Sequence, residues 1–155
     1  MLKLASAFVL TAAVLLAAPS AHAQKADEFR LIGSSDDATV MAGTLVKGPK
    51  NDRRTTEVLV RRERSNTGAD AYVIEAIANC DAGTLAIGDV KVYQGTSIIS
   101  EIPRGEENVS TPEAGSVAEQ VFNYLCTGAV DFDDKTRVTG VLSAITYGRK
   151  ALGLD

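Results

Sequence analysis

Ala71-Tyr72-Val73-Ile74-Glu75-Ala76-Ile77-Ala78-Asn79-Cys80 is the stretch on which the fold turns. In an extended chain, alternate side chains point to opposite sides. One side then carries Tyr72, Ile74, Ala76, Ala78 and Cys80, the other Val73, Glu75, Ile77 and Asn79. The segment reads as a strand with two usable faces, ended by the turn residues Asp81-Ala82-Gly83. Working outward, Leu85 to Tyr93 and Ser97 to Ile102 are two more strands around a Gln94-Gly95 turn, the spacing of an antiparallel meander. Upstream, Thr55 to Arg64 alternates in part: Val58 and Val60 share one side, Glu57, Arg61 and Glu63 the other. Leu59 breaks that alternation. Thr39 to Val46 and Phe29 to Ile32 are β-prone and are separated by the turn-forming run Gly33-Ser34-Ser35-Asp36-Asp37.

The character changes after Pro103. A polar connection runs to Gly115. Ser116-Val117-Ala118-Glu119 then has the S-x-x-E pattern of a capping box. Val117, Val121 and Leu125 recur at four, as do Ala118, Phe122 and Cys126. This predicts a helix of about three turns, stopped near Thr127-Gly128. In the extension 127–155, Val138, Leu142, Ile145 and Leu152 suit a second amphipathic helix, while Thr136, Val138, Val141, Ile145 and Thr146 are also β-prone. The expectation leans to helix.

The first 23 residues read as a cleavable secretory signal peptide. Lys3 supplies the positive start, Leu4 to Ala18 the apolar run, and Ala21-His22-Ala23 the small-x-small cleavage pattern. The run falls short of the ~20 residues of a spanning helix, no later segment is apolar enough to span, and no cysteine near the cleavage site offers a lipid anchor. The 155 residues less these 23 leave 132, the size of one domain, 24–155. Loss of Lys3 takes 16 basic residues to 15 against 20 acidic ones, a net charge of −5. Such a surface has no general attraction for nucleic acid, and the absence of tryptophan removes the best stacking platform for bases. Cys80 and Cys126 are an even pair in an exported chain and are expected to form a disulfide. Since Cys126 lies on the apolar side of the predicted helix, the bond would seat that helix on the Tyr72, Ile74, Ala76, Ala78 side of the sheet. The expected fold is α+β: an antiparallel sheet of about five or six strands, with a helix tethered to one face.

Asn79-Cys80, the Tyr93/Gly95 element, the serine-rich strand after it, Pro112-Glu113-Ala114-Gly115-Ser116-Val117-Ala118-Glu119 and Leu125-Cys126 together resemble the bacterial surface-adhesin protein E-like family. The likeness is best over residues 70–126. It implies a small exported β-sheet protein with a C-terminal helix disulfide-linked to the sheet, and adhesion as a function. This chain differs in continuing well past Cys126, in lacking a lipid-anchoring cysteine and in lacking an aromatic residue at the mature N-terminus.

The chemistry available is narrow. His22 is the only histidine and lies in the segment to be removed. Ser-His and Cys-His catalysis and histidine-bearing zinc sites are thereby excluded, and no cofactor is expected. Asp131, Asp133 and Asp134 are the densest carboxylate group and a weak candidate for Ca²⁺, without the spacing of an EF-hand. The candidate binding patch is basic: Lys47, Lys50, Arg53, Arg54, Arg61, Arg62 and Arg64 face only Asp52, Glu57 and Glu63 within residues 47–64, a net +4. Gathered on two strands and a loop, these would suit an anionic polysaccharide, a headgroup phosphate or an acidic protein. The expectation is a non-enzymatic exported envelope protein that binds another macromolecule. The alternative is a periplasmic inhibitor of a lysozyme-like or other hydrolytic enzyme, with Glu101 to Ser110 as its projecting loop.

Overall fold

The computed structural model describes residues 27–105, 109–130 and 136–154. The signal-peptide segment and the Asp131, Asp133, Asp134 group lie outside the described residues. The chain forms β1 (Glu28–Ser34), β2 (Ala38–Gly43), β3 (Arg53–Arg61), β4 (Ala71–Asn79), β5 (Thr84–Gln94), β6 (Ser97–Ile102), β7 (Val109–Ser110), helix α1 (Val117–Thr127), β8 (Val138–Thr139) and helix α2 (Val141–Ala151). The strands make one antiparallel sheet in the order β6-β5-β4-β3-β2-β1-β8, with β7 also paired to β5. The six longer strands are those expected; β7 and β8, two residues each, bring the described sheet to eight.

Each face of the sheet carries a helix. Met41, Val58, Val60 and Val73 share one face with Phe29, and α2 packs there through Ala144 and Ile145. Val40, Ala42, Ala76 and Ala78 occupy the other face beneath Val121, Tyr124 and Leu125 of α1. Alanines at three of those sheet positions allow the helix to approach closely. Cys80 and Cys126 are bonded, with their Cα atoms 5.6 Å apart. The disulfide and the helix it holds therefore sit on the expected face.

Local chemistry explains both helix ends of α1. Ser116 Oγ accepts from the Glu119 backbone N–H at 3.1 Å, and Glu119 Oε2 accepts from the Gly115 N–H at 2.6 Å. The carboxylate thus reaches one residue further back than a standard capping box would place it. At the other end Gly128 adopts φ +74°, a left-handed conformation that suits glycine, and donates its N–H to Tyr124 O. The 129–155 segment resolves its two patterns by dividing them. Val138, expected in a helix, pairs instead with Phe29 in β8, and the helix starts after Gly140, at Val141.

Close contact on the α2 face depends on Gly148. A Cβ there would lie 2.8 Å from both Thr39 Oγ1 and Val60 Cγ2. The absence of a side chain lets Thr39 Oγ1 donate to Gly148 O at 3.2 Å. Asp70, 1 % exposed, ties three regions together. Its carboxylate accepts from Arg64 Nε at 3.1 Å, Arg149 Nη1 of α2 at 3.0 Å and the Gly95 N–H at 3.0 Å.

Candidate functional site

The seven basic residues do not form one patch. Strand β3 runs from Arg53 to Arg61, so its ends are about 26 Å apart at the usual rise. Lys47, Lys50, Arg53 and Arg54 gather at one end of the sheet; Arg61, Arg62 and Arg64 stand at the other. Much of their charge is also engaged within the fold. Arg54 Nη2 meets Asp52 at 2.8 Å and its Nη1 meets Glu75 at 3.7 Å, and the hydrogen bond from Arg54 holds the Asp52 carboxyl below its usual range. Lys50 Nζ lies 3.3 Å from Asp81. Arg62 donates to the carbonyls of Asp36 and Leu152, each at 2.7 Å, and so holds the end of α2. Arg64 is committed to Asp70. Among the described residues no group of three or more histidine, cysteine or carboxylate side chains is placed to hold a metal ion.

A different site lies beneath α1. The first two turns of the helix do not close fully onto the sheet, and a cleft of about 410 Å³ remains. Val117, Ala118 and Val121 form its roof, and Val40, Leu59, Ile74 and Ala76 form much of its floor. Asp37 and Arg61, both exposed, also line it and mark its rim. This volume is within the range of small-ligand sites.

Glu57 lies in the inner wall. Its position follows from register: Val58 and Val60 point to the α2 core, so Glu57 and Leu59 point to α1. Its cross-strand neighbours are Ala42 and Ile74, neither of which can donate a hydrogen bond from its side chain. Glu57 is 2 % exposed, and among the described residues neither carboxyl oxygen has a hydrogen-bond partner. An ionised carboxylate in such surroundings is strongly disfavoured. Burial pushes the Glu57 carboxyl well above the usual carboxylate range.

The nearest polar groups serve other ends. Tyr124 donates its hydroxyl proton to Gly43 O at 3.0 Å. Burial raises the pKa of that hydroxyl. Arg30 of β1 occupies the same cross-strand row as Glu57, beyond Ala42. Two strand spacings, about 9.6 Å, separate their backbones, and the Arg30 Nε is itself buried without a hydrogen-bond partner among the described residues. The Gln120 Oε1 of α1 is a further buried atom without one. The underside of the helix thus holds several unsatisfied polar atoms in an apolar setting, an arrangement that native folds seldom keep.

By alternation Glu57 falls with Arg61 and Glu63 on a charged strand face. Leu59, which breaks that alternation, is the one sign in the sequence that this face is half-buried. Beyond the cleft the sheet margin is apolar and open: Ile87 of β5, Ile98, Ile99 and Ile102 of β6 and Val109 of β7 are all exposed. No described helix is long and apolar enough to cross a membrane, and the intramolecular disulfide fits an exported chain. Comparison with family models, curated proteins and solved structures gives no match.

Proposed function

We propose that the chain is an exported, non-enzymatic binding protein of the bacterial envelope, of the surface-adhesin E-like kind, and that it takes an apolar group of an envelope component into the cleft beneath α1. The observation that carries this is the cleft itself, about 410 Å³ between largely apolar walls and open at its rim. An apolar group entering it removes hydrocarbon surface from water on both sides, at about 25 cal/mol per Å². The absence of histidine after residue 22 supports a binding role over a catalytic one. The neutral fluorophore N-phenyl-1-naphthylamine tests the cleft. The mature protein is expected to take it up saturably at one site, and Ala118→Trp, which places an indole in the cleft, is expected to abolish uptake. Uptake unchanged in that variant sinks the assignment of the site. Mass analysis of protein recovered from the periplasm tests export: the expected N-terminus is Gln24, and an uncleaved chain counts against it.

The inhibitor alternative has one point in its favour. Within the Glu101 to Ser110 stretch, Ile102 pairs with Val90 and Val109 with Ala86, both on β5. Inhibition of a lysozyme-like enzyme by nanomolar mature protein would support it.

A further inference from the structure

Resting on the cleft as the binding site, we infer that its ligand carries a positively charged amine on its apolar part, and that the Glu57 carboxylate receives that amine. The cleft wall presents an acid whose two oxygens are both unpaired and which is 2 % exposed. Among the described residues nothing fills the role of its partner. Ala42 and Ile74 flank it across the strands, Arg30 stands two strands away, and the Tyr124 hydroxyl is spent on Gly43 O.

The choice of head group follows from what each would meet. An anionic head would bring a second negative group beside the acid, which disfavours both. A neutral hydroxyl or amide head would be served as well by glutamine or threonine, whose burial is far less unfavourable than that of an ionisable acid. An ammonium supplies three N–H donors to two empty oxygens and forms charge-assisted bonds, roughly twice as strong as neutral ones. Taking Glu57 as an anion is then offset by a paired charge. At the rim Asp37 attracts a cation and Arg61 opposes it, so the rim alone gives no preference. The net −5 of residues 24–155 favours the approach of cations.

The test compares n-octylamine, octan-1-ol and octanoate as displacers of N-phenyl-1-naphthylamine from the mature protein at pH 7. These three share a chain and differ only in the head. The expected result is at least about tenfold tighter binding of the amine than of either other compound. In Glu57→Gln the amine is expected to fall to the affinity of the alcohol. Equal affinity of amine and alcohol in the wild type, or an amine preference that survives Glu57→Gln, overturns the inference while leaving the cleft as a binding site. Failure of all three compounds, and of the fluorophore, overturns the cleft assignment and this inference with it. The wild-type comparison stands without the variant, so a folding defect in Glu57→Gln would not blunt it.

Discussion

Glu57→Gln is expected to make the protein more stable, and increasingly so as pH rises. Burial favours the neutral form of this carboxyl in the folded chain and so raises its pKa. In the unfolded chain it titrates as an ordinary glutamate near 4.3. Above about pH 4.3 the unfolded state therefore releases a proton that the folded state retains. Stability is lost at about 1.4 kcal/mol per pH unit, from the unfolded pKa up to the folded one. The loss accumulates over every pH unit in which the folded state keeps the proton that the unfolded state has released. Glutamine has nearly the same size and no proton to lose. Urea unfolding of the mature wild type and variant from pH 4 to pH 8 reads the difference directly, since every other titrating group is common to both. The two are expected to agree near pH 4 and to diverge above it. At an m-value of about 1.5 kcal/mol per M, each such pH unit corresponds to a midpoint shift of about 0.9 M. A stability difference that does not change with pH would refute the placement of Glu57 as a buried, unpartnered acid.

Gly148→Ala is expected to lower stability by about 1–3 kcal/mol, because the new Cβ meets Thr39 and Val60 in strands that cannot easily yield; an unchanged melting temperature would count against the close approach of α2. Asp70→Asn leaves Arg64 and Arg149 without their shared carboxylate and is expected to destabilise by about 3 kcal/mol in urea titration. Loss of under about 0.5 kcal/mol would show that the cluster is solvated. Reduction of Cys80–Cys126 releases a 46-residue span and is expected to remove about 4 kcal/mol, measured as the difference between unfolding curves with and without reductant.

The parts of this fold that could be read in advance were those with local signals. Alternation in residues 71–80, the Ser116/Glu119 cap and the cysteine pair led to the main strands, α1 and the face that α1 covers. Strands β7 and β8 could not be found that way, because two residues show no period and their pairing is set by the distant partners Ala86 and Phe29. The basic run misled for a related reason. Eighteen residues that are neighbours along the chain become opposite ends of the sheet once β3 is extended. Glu57 was hidden by its type: a glutamate in a strand ordinarily faces water, and only the layer above it, supplied some sixty residues later by α1, makes it interior.

The Cys80–Cys126 bond joins α1 to the sheet at the last turn of the helix. Leu125, wholly buried, and the Tyr124 bond to Gly43 reinforce that same end. Val117, Ala118 and Val121, which cover the cleft, lie toward the opposite end of the helix. The anchoring of α1 is therefore one-sided: the covalent bond, the wholly buried Leu125 and the Tyr124 hydrogen bond all act on its final turn. The leading turns are held to the sheet by side-chain packing alone, so a substitution at Val117 or Val121 alters the cleft without touching the covalent tie.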